Sequence, residues 1–399
     1  MGKTLITYPG PLAGTTRVPF LRGILIRSLQ DAGLSFDDAR RLATRLRREL
    51  REVAEISSKD LEARVVACLE QDHGAEAVRR YRAPSPWRSA VMVRDNKGQT
   101  APFSRGRLRH ALESCGLTVE DATRITTQLY EHLGRRGLGP LDSDRLARLT
   151  YRYLHRDLGR EVAKRYAVWV DFVRSNRPLL LLIAGVPGSG KSTIATELAN
   201  RLDIVRTQPT DMLREVMRMM IPQRLAPALH TSTFKAWEVL PSRGRRPGME
   251  AAVEEGYLAQ AELVMVGCEA VLNRALRERV SMIVEGVHVH PALVERVPRD
   301  AGAVVVPVVL AVLKPEVLRA RFASRGEQAP DRRAARYLEH FEAIWRMQAF
   351  LLAEADRCQV PIVPNYDTEQ TVQRIMGLIV DILARDFFPR PGASFLAGS

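Results

Sequence analysis

At 399 residues the chain exceeds one ordinary domain, and with 46% hydrophobic residues it can bury a core in each of two or three. Its longest apolar runs, Leu179 to Ala184 and Ala303 to Leu313, fall well short of the roughly 20 residues that a membrane span needs, which excludes a membrane partner of that kind. The net charge of +14 is mostly arginine and invites a nucleic-acid reading, but the sparse aromatics are not interleaved with basic residues as a base-stacking surface requires. A protein handling small anions needs a positive field as well, so nucleic acid is the weaker expectation. The cysteines Cys68, Cys115, Cys268 and Cys358 form no C-x-x-C pair, and the start Met1-Gly2-Lys3-Thr4 has no apolar signal core. Both features predict a cytoplasmic protein without a zinc ribbon.

The first elements occur twice. Pro19-Phe20-Leu21-Arg22-Gly23-Ile24-Leu25 is echoed by Pro102-Phe103-Ser104-Arg105-Gly106-Arg107-Leu108, and the echo continues through Leu29 and Leu112, Gly33 and Gly116, Asp38 and Asp121, and Leu46 and Leu129. After a small shift, Asp72, Gly74 and Tyr81 pair with Asp157, Gly159 and Tyr166. Each copy predicts helix, glycine turn, helix, longer loop, helix. Gly116 suits a positive-φ helix end, and Thr118-Val119-Glu120-Asp121 reads as a capped helix start. Only the second copy has a clear strand and turn ahead of it, Val91 to Gly98, and Arg82-Ala83-Pro84-Ser85-Pro86 marks the boundary between copies. The expected layout is 1–85 and 86–172 for the two copies, 173–386 for a third domain, and 387–399 for a disordered tail.

The second copy resembles the ATP-cone, a small regulatory nucleotide-binding domain. The likeness runs from about Ala90 to Phe172 and rests on V-x-V-R-D-x-x-G, P-F-x-R-x-x-L and the pair Arg165-Tyr166. It implies phosphate contacts for Arg94 and Arg107. The first copy carries Thr7-Tyr8-Pro9-Gly10 in place of the basic strand and Ile24 in place of Arg107, and is a degenerate version. Two readings of the second copy stand side by side: a nucleotide effector site, or a helical packing or homo-oligomerisation module.

From Arg177 onward strands and helices alternate, as in a parallel sheet wrapped on both faces. The apolar strand Leu179 to Ala184 leads into G-x-x-x-x-G-K-S at Gly185 to Ser192, and Ile194, Leu198 and Leu202 recur as one helix face behind it. Gly185, Gly188 and Gly190 let backbone N–H groups close around a polyphosphate, with Ser189 and Thr193 completing the loop. Lys191 is expected on the β/γ-phosphates and Ser192 on Mg²⁺. Leu202 to Arg206 reads as a second strand, after which Asp211 and Arg214 fall beyond the strand ends. Asp211 either opens a helix or orients and deprotonates an acceptor hydroxyl, while Arg214 grips an anionic group.

His230 to Trp237 would shape an acceptor pocket, with His230 a substrate ligand, ahead of the arginine-rich loop Pro241 to Gly248. Glu254 to Arg279 reads as one helix, and Val280 to Glu285 as a strand whose terminal carboxylate suits the metal side of a phosphate-loop site. His288 either binds substrate phosphate or is a plain loop residue, as is His290. Val304 to Val312 is a buried strand in which Pro307 hints at a bulge or an edge. Leu318 to Gly326 carries Arg321 and Arg325 on one helix face, as a lid that closes on the transferring phosphoryl group would. Val360 to Asn365 supplies a last strand and Thr371 to Leu383 a last helix. The fold class is an α/β P-loop kinase, a parallel sheet with helices on both faces and a lid, preceded by two mainly helical ATP-cone-like modules.

G-V-P-G-S-G-K-S-T, T-D-M-L-R-E-V, L-H-T-S-T-F-K-A-W, I-V-E-G-V-H and R-F-A-S-R, in that order behind an ATP-cone, resemble archaeal-type 2-phosphoglycerate kinases. The resemblance spans about Ala90 to Leu383. It implies ATP and Mg²⁺ as cofactors and transfer of the γ-phosphoryl group to the 3-hydroxyl of 2-phosphoglycerate, a small anionic substrate. Two other readings remain open: a kinase of another phosphorylated small molecule, such as a sugar or inositol phosphate, and a nucleotide-sensing regulator that binds nucleic acid.

Overall fold

The computed structural model describes residues 4–9, 15–82, 92–94, 98–135, 141–240, 248–298, 302–328 and 333–387. The described residues divide into two compact units, one drawn from Met1–Leu108 and Thr123–Tyr153, the other from Arg109–Ala122 and Leu154–Ser399. The arginine-rich loop 241–247 and the expected tail from Pro389 lie outside the described residues.

The repeat is visible in the backbone. The first copy runs β1 (Leu5–Pro9), β2 (Thr15–Pro19), α1 (Arg22–Asp31), α2 (Phe36–Glu49), β3 (Glu55–Ser57) and α3 (Ser58–Arg82). The second runs β4 (Met92–Arg94), β5 (Thr100–Pro102), α4 (Arg105–Ser114), α5 (Val119–Arg135), β6 (Leu141–Asp142), α6 (Ser143–Leu158) and α7 (Arg160–Ser175). In each copy the first strand pairs antiparallel with the second and parallel with the third. Gly33 and Gly116 end the first helices at φ of 88° and 85°. The next helices share one cap: the Ser35 hydroxyl accepts from the Asp38 amide, as the Thr118 hydroxyl does from the Asp121 amide, both at 3.2 Å. Gly74, at φ 76°, kinks α3 where Gly159, at φ 90°, separates α6 from α7. The absence of a clear strand in the first copy was a misreading. β1 forms because Leu5-Ile6-Thr7 is β-prone and buries Ile6 beside Ile56 on its parallel neighbour; a strand does not require the basic residues that marked the second copy.

The other unit is organised by β7 (Leu179–Ala184). All six of its residues are buried, as expected of the central strand of an all-parallel sheet enclosed on both faces. After it come α8 (Lys191–Leu202), β8 (Arg206–Pro209), α9 (Thr210–Met220), two 3-10 turns (Pro227–His230 and Thr233–Val239), α10 (Met249–Glu278) and β9 (Met282–Gly286). A third 3-10 turn (Pro291–Arg296), β10 (Val304–Ala311), α11 (Pro315–Gln328), α12 (Arg333–Glu339), α13 (Phe341–Arg357), β11 (Ile362–Pro364) and α14 (Thr368–Phe387) complete it. The sheet order is β11-β10-β7-β9-β8, with every pairing parallel. Helices α8 and α14 pack on each other and against β9 and β10, and α10 and α13 form a second such pair. The far end of α8 is tied down as well: the Ser114 hydroxyl lies 2.6 Å from the Arg201 carbonyl, and Arg201 pairs with Glu197 and Glu369.

Three sequence expectations shift. The second strand begins at Arg206, because Asp203 takes a left-handed φ of 54° to end α8 and leaves Val205 91% exposed. Pro307 sits in a strand with neighbours on both sides and not at an edge. The Val304 amide donates to Pro178 beyond the start of β7, and the Val309 amide donates to Pro361 on the β11 side. Alternation along the strand therefore aims position 307 toward β11, whose pairing starts only at Val309, so the missing N–H costs no ladder bond. Finally, α14 extends to Phe387, one residue into the expected tail.

Candidate active site

β7 ends in a loop that only glycine can build. Gly188 and Gly190 hold φ of 81° and 90°, and a Cβ on Gly185 would lie 2.7 Å from the Leu310 carbonyl oxygen. The loop then enters α8, whose first-turn N–H groups and dipole favour an anion at that end. Lys191, the first helical residue, donates from Nζ to the Val186 carbonyl at 2.9 Å. The exposed Ser192 donates from Oγ to Glu285 Oε1 at 2.9 Å, and Thr193 is exposed beside it. Glu285 comes from β9, opposite Ile183 on one side and Pro209 on the other. A hydroxyl and one carboxylate beside a phosphate cradle fit Mg²⁺, a hard ion that takes oxygen ligands and shares them with substrate phosphates. Among the described residues no group of three or more His, Cys, Asp or Glu is placed to hold a metal by itself.

Next to Glu285, a Cβ on Gly286 would overlap the Thr210 hydroxyl, so glycine there lets the start of α9 press against the end of β9. His288 follows, wholly buried. Its Nε2 lies 2.9 Å from Gln260 Oε1 and 3.2 Å from Thr233 Oγ1, and its Nδ1 lies 2.9 Å from Thr210 Oγ1. Gln260 uses its amide nitrogen on the Ala228 and Thr231 carbonyls, which leaves Oε1 as the acceptor facing the ring. His288 therefore carries its proton on Nε2 and accepts from the Thr210 hydroxyl at Nδ1. Burial pushes the ring down to about 4 against the opposing pull of Asp211, so it is neutral at neutral pH. Asp211, 72% exposed at the start of α9, has Oδ1 3.8 Å from the same Nδ1.

Arg214 reaches from α9 to the carbonyls of Leu229 and Thr231 at 3.0 and 2.9 Å and pairs with Glu215. His230 bonds from Nε2 to the Ile221 carbonyl at 2.8 Å. Both residues, expected from sequence as substrate ligands, thus hold the segment between α9 and α10 in shape. His290 belongs to the loop: it accepts from the Ala292 amide and lies 3.5 Å from Glu354, and burial lowers it too.

A family model described as "AAA domain" matches residues 180–344. A 2-phosphoglycerate kinase of Pyrococcus furiosus is 38% identical over 73% of this chain and 93% of its own length. That of Pyrococcus horikoshii is 37% identical over 69% and 88%, and that of Methanopyrus kandleri is 35% identical over 70% and 84%. The chain belongs to the 2-phosphoglycerate kinase family. Its fold is that of a P-loop kinase, with a parallel five-stranded sheet and a mostly helical N-terminal part.

Arg321 on α11 donates from Nη1 to the Gly188 carbonyl at 3.2 Å and from Nη2 to the Asn365 carbonyl at 2.6 Å. The side chain of Arg325 lies outside the described residues. α12 meets the segment between α9 and α10, with Arg336 bonded to Ser232 Oγ at 2.5 Å and its guanidinium 5.7 Å from the Phe234 ring centre. Arg94 and Arg107 belong to the other unit, and both are exposed, on β4 and on the first turn of α4. Sequence reasoning missed Thr210, Gln260, Gly286 and Asn365. One signal was present: Gln260 is a polar residue on the apolar face of α10, next to Ala261 and Val264, where only a satisfied partner makes burial tolerable.

Proposed function

We propose that this chain transfers the γ-phosphoryl group of ATP to the 3-hydroxyl of 2-phosphoglycerate, forming 2,3-bisphosphoglycerate and ADP. One observation carries the reading: the loop Gly185 to Ser192, Glu285 and Asp211 lie at the same ends of three neighbouring parallel strands, β7, β9 and β8. The oxygen of the acceptor hydroxyl forms a bond to the γ-phosphorus as the β,γ-bridging oxygen leaves, and Asp211 accepts the hydroxyl proton. Lys191 and the loop N–H groups hold the phosphates, and Ser192 and Glu285 hold the metal. Bound Mg²⁺ supplies the positive charge that draws density from the phosphate oxygens. Neutral His288 keeps Thr210, and with it Asp211, in place; Arg214 and His230 serve the substrate by fixing the segment that faces it.

Arg94 and Arg107 are assigned to a nucleotide effector, since both are exposed and belong to the cone-like module. A cytoplasmic location is part of the proposal, supported by the free thiols of Cys68, Cys115, Cys268 and Cys358, which a reducing compartment preserves. The test is direct. Purified protein with ATP and Mg²⁺ should consume ATP faster with 2-phosphoglycerate than without it, and phosphorus NMR should show a second phosphomonoester on the acceptor. No acceleration with 2-phosphoglycerate, alongside acceleration by another acceptor from a panel of sugar and inositol phosphates, would move the assignment to that acceptor.

A further inference from the structure

The phosphate loop is held from its outer side by a residue that lies far from it in sequence. Asn365 follows β11 and is 4% exposed. Its backbone amide donates to the Ala311 carbonyl at 2.8 Å, which fixes it to the end of β10. Its side-chain Nδ2 donates to the Ser189 carbonyl at 2.7 Å, while Oδ1 lies 3.1 Å from the Thr371 hydroxyl on α14. Arg321 closes the arrangement by donating to the carbonyls of Asn365, Gly188 and Ser189, the last at 3.4 Å.

In a trans peptide the C=O of one residue and the N–H of the next share a plane and point in opposite directions. The bond from Asn365 therefore sets the plane of the Ser189–Gly190 peptide and turns the Gly190 N–H away from Asn365, to the side where a phosphate lies against the start of α8. The Ser189 N–H is committed to the Val186 carbonyl at 3.2 Å, so of these two adjacent amides it is that of Gly190 that can serve the anion. The packing is tight enough that a Cβ on Gly190 would overlap Asn365 Nδ2.

We infer that Asn365 is a positioning residue for phosphoryl transfer, holding the Ser189–Gly190 peptide so that the Gly190 N–H faces the ATP phosphates, with Arg321 as its partner from the lid helix. The inference rests on the reading of Gly185 to Ser192 as the ATP cradle. N365D is the sharpest probe, because it keeps the shape and replaces the donor with a carboxylate facing the Ser189 carbonyl. Loss of one buried hydrogen bond with an unpaired acceptor left behind predicts ATP and ADP binding weaker by about 10- to 100-fold in titration calorimetry. The KM for the acceptor should change by less than about twofold, a split that general loosening of the fold does not produce. N365A carries the same test if N365D does not fold, with a loss near the lower end of that range. Nucleotide affinity within twofold of wild type in a folded variant, or equal losses for nucleotide and acceptor, would overturn the inference. Because direct binding of ATP is read without any acceptor, failure of the 2-phosphoglycerate assignment would leave this result standing.

Discussion

Lowering the pH should destabilise this protein through His288 specifically, and the size of the effect follows from where the ring sits. The folded state holds His288 near 4, while an unfolded chain returns it to about 6.5, so between those values the unfolded state binds more protons and stability falls as pH falls. The contribution is fully present above about pH 6.5 and is lost on the way down toward about pH 4. At about pH 5 the two-state linkage relation puts the loss near 2 kcal/mol. For a unit of this size that corresponds to a melting temperature lower by roughly 4–8 °C. H288Q removes the titration while keeping groups that can bond Thr210 and Gln260. The assay is thermal unfolding of both proteins at about pH 7.5 and about pH 5. H288Q will start less stable because it loses packing, but the gap between the proteins should narrow by roughly that 4–8 °C on acidification. Carboxylates and His290 titrate in both proteins and cancel in the comparison. Curves that run parallel across this pH range would refute the claim that a buried neutral imidazole joins α9, α10 and the segment between them.

K191A should lower kcat by at least about 10²-fold, the usual cost of removing one phosphate-clamping charge, with its melting temperature close to wild type. A steady-state ATP assay measures it, and full activity would remove the phosphate loop from the reaction. D211N preserves shape and hydrogen bonding but cannot take a proton, so kcat should fall by about 10²- to 10⁴-fold while ATP affinity holds, measured by calorimetry beside the kinetics. G286A forces a methyl into the Thr210 hydroxyl and should cost about 1–3 kcal/mol in denaturant unfolding, with an unchanged profile indicating that α9 can move away freely.

What the sequence disclosed, and what it withheld, divides by the distance over which the deciding contact acts. The phosphate loop, the helix behind it and the acidic end of β9 were legible because each is a local pattern: glycine conformations, a 3.6-residue repeat and an apolar run ending in a carboxylate. Pro307 was misread because its tolerance depends on where β11 begins, more than fifty positions later, and no local pattern records that. The first-copy strand was missed for a similar reason: Leu5-Ile6-Thr7 is short and runs into Pro9-Gly10, and the parallel partner that completes it, β3, comes about fifty positions later. Arg214 and His230 were read as substrate ligands, but here they bond backbone carbonyls, which a sequence displays at every position alike, and Arg214 pairs with Glu215 as well.

Gly190 shows how the two kinds of information meet. The sequence pattern requires a glycine there so that backbone can approach a polyphosphate, and the left-handed φ of 90° requires one again. A third reason is tertiary. The Asn365 amide, 176 positions from its partner Ser189, occupies the space that any side chain at 190 would need. Substitution at Gly190 would therefore both strain the loop and push out the residue that orients the neighbouring peptide. The loop's shape is written in its glycines, while the orientation of the Ser189–Gly190 peptide is set by Asn365 and by Arg321 on α11. A phosphate loop with the same glycines but without a donor at position 365 should keep its fold and lose much of its grip on the nucleotide.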